Sequence, residues 1–263
     1  GDNVNVRTPL VHTYSAMLQG DLGNGFLMDV GYVGTMGRFL PYRSVYAAQP
    51  GSGLAGLPLY NQGRTAGTYA YNNGANNNYN SLQVNLTKRM ASGLAFAGSY
   101  TWARAMDTGS DLVNPFDRNA NYARSDYDRR HILAVSHVWN LPFGAGSPYA
   151  NTGAAAHILG NWELNGILRW ATGTPYYVTA DPLFCACPGI AGVPANFTGT
   201  GNLNGASSFD PSNFSPAGAG QFGSLGRNSF SGPDMFTYNL SLFRNFAIRE
   251  NVKLEFRGEA YNL

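Results

Sequence analysis

Residues 251–260 constrain the fold more than any other stretch of the chain. Val252, Leu254, Phe256, Gly258 and Ala260 are apolar or small, while the intervening Lys253, Glu255, Arg257 and Glu259 are all charged. Side chains alternate across a strand with period two, so one face is apolar and the other fully charged. A looser version of this pattern recurs in segments of about ten residues, joined alternately by tight turns and long polar loops. That is the signature of a transmembrane β-barrel, whose outside meets lipid and whose inside is wet.

Composition points the same way. Charged residues make up 12% of the chain, about half the roughly 25% of an average globular protein. Aromatics reach 13%, including 16 Tyr and 15 Phe, as girdles at two membrane interfaces require. The 33 glycines favour turns and loops over long helices. Mean hydropathy is slightly negative, as expected when only half of each strand faces lipid. No run approaches the ~18 consecutive apolar residues of a membrane-spanning helix. A net charge of +2 is too small to suggest a nucleic-acid partner. Two cysteines provide no disulfide framework. The chain opens on polar Gly1, Asp2 and Asn3 without a signal peptide, as expected of an internal piece or a processed form.

The pattern predicts eight strands, at residues 10–19, 26–35, 79–88, 94–103, 131–141, 161–172, 236–243 and 251–260. Short connections fall at 21–25, 90–93 and 244–251, with 142–160 intermediate; long ones fall at 36–78, 104–130 and 174–235. Antiparallel strands put alternate connections at opposite ends. Outer-membrane barrels have short periplasmic turns and long extracellular loops, so sites near Asn73, Asp117 and Gly205 are expected outside the cell. Those near Gly23, Gly93 and Asn251 are expected inside. Leu254 is assigned to lipid and Lys253 to the lumen, so Leu254→Arg is expected to impair assembly more than Lys253→Leu. On residues 131–141 the same register sends Leu133, Val135 and Trp139 to lipid, and His137 with them.

Several motifs have spacings that chemistry could use. Gly51, Gly53 and Gly56 have G-x-G-x-x-G spacing, but Pro58 follows and no helical periodicity exists, so the segment is read as a loop rather than a dinucleotide site. Cys185 and Cys187 could chelate a soft metal, but His12, His131, His137 and His157 are scattered, and two exported thiols are expected to be oxidised to each other or to another chain. Asp107, Asp111, Asp117, Asp126 and Asp128 share a loop with Arg104, Arg118, Arg124, Arg129 and Arg130. Carboxylates could hold Ca²⁺; matched charges favour a salt-bridge network. Tyr60, Tyr69, Tyr71 and Tyr79 with Asn72, Asn73, Asn76, Asn77 and Asn78 could stack on sugars or peptides, but an interface girdle with a flexible loop tip is favoured. No Ser-His-Asp, H-E-x-x-H or Walker spacing occurs, so no catalytic, cofactor or metal residues are assigned and an enzyme is not expected.

Tyr32-Val33-Gly34, Tyr79-Asn80-Ser81-Leu82-Gln83-Val84, Ser99-Tyr100-Thr101-Trp102, Asp126-Tyr127-Asp128-Arg129-Arg130-His131, Leu141-Pro142-Phe143-Gly144, Gly160-Asn161-Trp162 and Glu255-Phe256-Arg257-Gly258-Glu259-Ala260-Tyr261-Asn262-Leu263 occur in this order. The order and spacing resemble the barrel of TonB-dependent outer-membrane transporters of the Oar-like group, which often carry an N-terminal carboxypeptidase-regulatory-like domain. The resemblance implies a barrel of about 22 strands around a plug, a Gram-negative outer-membrane location, and coupling to TonB through the plug. Neither plug nor TonB contact is recognisable here. Residues 1–263 are expected to be one partial barrel without its final strands, with an unidentified small-molecule, peptide or glycan substrate. The alternative is a secreted all-β adhesin or carbohydrate-binding sandwich, which would bury the apolar strand faces in a core.

Overall fold

The computed structural model describes residues 7–109, 113–199, 210–249 and 252–263. Eight long strands form one antiparallel meander: β1 (Leu10–Gly23), β2 (Phe26–Tyr46), β3 (Thr68–Ala91), β4 (Leu94–Asp107), β5 (His131–Asn140), β6 (Trp162–Ala171), β7 (Met235–Arg249) and β8 (Val252–Ala260). Each pairs with its neighbours along the chain, so sheet order equals sequence order. Among the described residues β1 and β8 have one neighbour each, and the sheet is open at both. Tight turns close the hairpins at the turn end. Asn24 and Ser92 have φ of 52° and 51°, between or before glycines at about 80°, the left-handed geometry that two-residue hairpins need.

All eight expected strands are present, and the register confirms their facing. Val30, Val84, Tyr100, Leu133, Trp170 and Phe236 pair successively across β2 to β7. Directly paired residues share a face, so this row is apolar across six strands. One residue along, Asp29, Asn85, Ser99, Ala134, Arg169 and Thr237 form a polar row on the other face. The apolar face carries aromatic belts at both ends. Tyr32, Trp102, His131 and Trp170 stand at the loop end; Phe26, Phe96, Trp139, Trp162 and Phe256 stand at the turn end. Trp162 and Trp170 lie eight residues apart on β6, roughly 26 Å of strand. A tilt of about 40° reduces that to roughly 20 Å, the scale of a barrel's lipid band.

His137 lies on the apolar face, as the register requires. Its Nε2 is 2.9 Å from the Tyr238 hydroxyl, so the ring is hydrogen-bonded within a lipid-facing row. The pair meets over Gly166, where a Cβ would stand 2.3 Å from His137 Nε2 and 2.9 Å from the Tyr238 ring. Gly166→Ala is therefore expected to separate the two side chains. Stranding such groups costs about 1–3 kcal/mol, to be read as a lower urea midpoint in vesicle refolding, with Tyr238→Phe giving a similar loss.

β7 runs to Arg249 and β8 starts at Val252, so most of the expected 244–251 connection is strand. The structure departs from expectation in four further places. First, β2 and β3 run about eleven residues past the predicted 26–35 and 79–88, shrinking the 36–78 loop to residues 47–67. This part of the hairpin is outside lipid and needs no apolar alternation, so its Asn- and Tyr-rich sequence resembled a loop. The register shifts twice there, between Gly37 and Pro41. Second, the 142–160 connection contains a helix, α1 (Gly153–Leu159). Third, the 174–235 loop is a packed assembly. Short ladders join Thr179–Ala180 to Val193–Pro194, Asn196–Phe197 to Phe214–Ser215, and Pro175–Tyr176 to Phe230–Ser231. Fourth, Leu254 does face with the apolar rows, but it pairs with Phe246, turnward of the Trp162–Arg244–Phe256 row. It belongs to the turn-end belt, where an arginine costs only about 0–1 kcal/mol. The informative mid-sheet position is Leu240.

The buried apolar clusters lie in the loops, not against the sheet. One comprises Ala47, Cys185, Cys187, Ile190 and Val193. The other joins Leu225 and Phe230 to Tyr176, Tyr177, Val178, Phe197 and Phe214. On the sheet, Trp102 is 52% exposed and Phe236 54%. Among the described residues no second sheet covers the apolar face, which separates this molecule from a sandwich.

Candidate functional site

Two regions could meet a ligand: the polar face and the loop assembly above it. The polar face is the hollow side of the sheet. One depression of about 570 Å³ is lined by Thr87, Ala97, Ser136, Asn165, Asn239 and Ser241. A second, of about 590 Å³, lies between Asp29 and Arg169, over Asn85 and Ser99. At the far edge Arg257 bridges Glu255 at 3.2 Å and Glu259 at 3.8 Å. Alternation alone produces this surface: Ala134 and Ser136 of β5, Glu163, Asn165 and Arg169 of β6, and Thr237, Asn239 and Ser241 of β7 all turn to it, opposite the apolar residues that alternate with them. It is a wet, mixed-charge wall with room for solute, and no nucleophile–base pair is arranged on it among the described residues.

The loop assembly is held by charge. Arg227 is almost wholly buried, its guanidinium 2.8 Å from an Asp107 carboxylate oxygen and 3.0 Å from one of Asp126. It also donates to the carbonyls of Asp107 and Asn121. Next to it, Asn228 donates to the Arg124 carbonyl and to Asp126. Arg124 in turn bridges Asp128 at 3.0 Å and donates to Ser231. Asp128, buried, accepts the Ala105 amide at 2.7 Å. The network thus ties the 104–130 loop to β4 and to the 174–235 loop. Of the other charges in that loop, Arg118 donates to the Gly74 carbonyl, Arg129 to that of Thr172, and Asp117 accepts the Asn119 amide. Asp111 lies outside the described residues. The carboxylates are engaged by arginines and amides, which is the salt-bridge arrangement the matched charges suggested. Arg227 was missed, since it is 120 residues from Asp107 in sequence.

Cys185 and Cys187 are disulfide-bonded to each other. The resulting tight turn is a docking point for the glycine loop. The Cys185 carbonyl accepts the Gly51 amide at 2.9 Å and the Gly220 amide at 3.2 Å, and the Ala186 carbonyl accepts the Gly53 amide at 3.0 Å. The G-x-G-x-x-G spacing therefore serves backbone packing between loops. The asparagines of 72–78 bond within the β2–β3 hairpin and to the segments beside it. Asn77 accepts the Gly37 amide, Asn73 donates to the Arg7 carbonyl, and Asn78 donates to Tyr122. Tyr69 lies under the Arg43 guanidinium at 4.6 Å, whereas Tyr71 is 79% exposed. In the same loops Asp210 accepts the Ser212 hydroxyl and amide, which hold its carboxyl below the usual range. The four histidines are dispersed: His131 bonds Tyr100, His137 bonds Tyr238, His157 is in α1 and His12 is on β1. Among the described residues no three His, Cys, Asp or Glu side chains cluster as metal ligands would.

An open antiparallel wall with one lipid-type face and one wet face defines a membrane β-barrel protein. A family model described as an outer membrane beta barrel domain matches residues 2–263, and the chain belongs to that family. Its place is the outer membrane, in contact with the bilayer. No curated protein matches the sequence. Among solved structures, the outer membrane transporter YddB from Escherichia coli matches with a TM-score of 0.50 at 8% identity, covering 98% of this chain. The match spans 29% of that protein's length, and at this identity it speaks for the fold alone.

Proposed function

We propose that this chain is part of the wall and extracellular loops of a TonB-dependent outer-membrane receptor of the Oar-like group. The observation that carries the reading is the sheet with two free strand edges. Lipid cannot satisfy unpaired backbone groups, so β1 and β8 pair with further strands of a wider barrel. Substrate meets the ordered loop assembly and passes along the polar face, through a lumen gated by a plug encoded elsewhere. The chain carries out no catalysis; its work is to enclose, select and admit. The mixed-charge polar face suits a wide wet lumen better than a packed interior, where each charge would need a partner. The outer-membrane barrel family and the order of the sequence motifs support the same reading.

The test is copurification of the full-length parent with the periplasmic domain of TonB. A specific complex is expected; its absence would leave a passive pore. Topology is checked in the same cells. Tags near Asn73 and Asp117 are expected to be labelled from outside, and tags near Gly23 and Gly93 to be protected. Labelling at Gly93 would reverse the orientation. The earlier positions Gly205 and Asn251 lie outside the described residues.

A further inference from the structure

We propose that the β5–β6 connection is a membrane anchor: α1 lies in the lipid interface at the turn end, with Ile158 and Leu159 inserted beside the wall. The inference rests on the membrane-wall reading and adds a lipid-binding element to it.

Three observations converge. First, residues 141–162 contain no Asp, Glu, Lys or Arg, an unusual composition for a connection of this length surrounded by water. Second, α1 leaves its apolar residues uncovered. Ala154 and Ile158, and Ala155 and Leu159, are four apart and so share one side of the helix. Ile158 is 63% exposed and Leu159 47%, and nearby Tyr149 is exposed too. Third, the helix is fastened to the lipid side of the wall. The last carbonyls of a helix lack intrahelical partners. Here the Trp162 indole donates to the Ile158 carbonyl at 2.9 Å, and the Arg244 guanidinium donates to the carbonyls of both Ile158 and His157. Trp162 and Arg244 are paired residues of the apolar face.

Arg244 shows how the interface is built. Its guanidinium lies 5.3 Å from the Trp162 ring centre and 4.4 Å from that of Phe246. A long cationic side chain with its stem on apolar surface and its head at the polar boundary is in the position of a snorkelling residue. Tryptophan belongs at the same boundary. A helix hung from these two side chains sits at headgroup depth, and its outward Ile158 and Leu159 point into the lipid. Close backbone packing fixes its attitude: a Cβ on Gly144 would meet the Gly160 Cα at 2.4 Å. The occupant of this apolar surface is the phospholipid of the adjoining leaflet, because the surface is continuous with the lipid-facing belt. Helices that lie in the interface plane bury apolar side chains at this depth.

The experiment places single cysteines at Ile158, Leu168 and Gln62 of the full-length parent, with the Cys185–Cys187 disulfide left intact. Each carries an environment-sensitive fluorophore, in phosphatidylethanolamine–phosphatidylglycerol vesicles with or without nitroxide-labelled lipid. Leu168 is the lipid standard on β6, and Gln62 is the water standard in the loops. Quenching at Ile158 is expected to be several-fold stronger than at Gln62 and comparable with Leu168, with iodide quenching in the reverse order. Leu159→Cys should repeat the result. If Leu168 is quenched by lipid but Ile158 and Leu159 behave as Gln62 does, the anchor is overturned while the wall stands. If Leu168 itself is not quenched by lipid, the wall reading falls and the anchor with it.

Discussion

Arg227→Ala is expected to open the extracellular loop assembly while leaving the sheet in place. The side chain is only 3% exposed and faces two carboxylates and two carbonyls. Its removal takes the charged partner from Asp107, leaving that carboxylate the Gly109 amide, and takes a buried donor from the carbonyls of Asp107 and Asn121. Breaking a buried ion pair by deleting one partner costs about 3–5 kcal/mol. The lower end applies here because Asp126 is 56% exposed and can be rehydrated. The contacts made by Asn228 to Arg124 and Asp126 depend on the same geometry. Limited proteolysis of the folded parent should therefore cut within residues 104–130 and 174–235 much faster in the variant. Refolding into detergent should remain intact, since Arg227 meets the wall only at Asp107, the last residue of β4. Equal cleavage of both proteins would show that the network does not order the loops.

Leu240→Arg is expected to obstruct membrane assembly. Leu240 pairs with Gly166 on one side and Ala260 on the other. It lies midway between Phe236 and Arg244 on β7, so its side chain is near the centre of the lipid band. An arginine at that depth costs about 2–4 kcal/mol. The small neighbours offer no carboxylate to neutralise it. Ser241→Arg, one residue along, turns to the polar face opposite Glu259 and Asn165, and should fold nearly as well as the parent. Refolding yield and urea midpoint in vesicles measure the difference. Similar losses for the two variants would contradict the facing of β7.

The wall was legible because one physical rule acts at every position within it. Lipid on one side and water on the other force period-two alternation, and β1, β2, β4 and β5 begin at the residues that alternation indicated. Even His137, a polar residue in the middle of its apolar face, keeps the register, and its partner Tyr238 is visible only in the fold. Legibility ended where lipid ends. In the outer half of the β2–β3 hairpin cross-strand hydrogen bonds join Asn72 to Ser44, Asn77 to Gly37 and Arg38 to Asn78, in a sequence whose Asn, Ser and Tyr are shared with loops. The small ladders of the 174–235 segment are two residues long, too short to leave a period. The loop charges were recognisable as a paired set from their balance, but Arg227, at their centre, comes from another loop. Helix α1 is a single seven-residue element rich in alanine, and its role depends on Trp162 and Arg244, which only the fold brings to it.

The most direct test of the membrane-wall account is a spin-label scan along β6, residues 162–171, in the full-length parent in lipid vesicles. Oxygen concentrates in lipid and a charged nickel chelate in water, so their relative collision rates report which side each position faces. The account predicts oxygen maxima at 164, 166 and 168, chelate maxima at 163, 165 and 169, and a period of two throughout. Low accessibility of 164, 166 and 168 to both probes would mean that the apolar face is buried in a protein core, and would contradict the account.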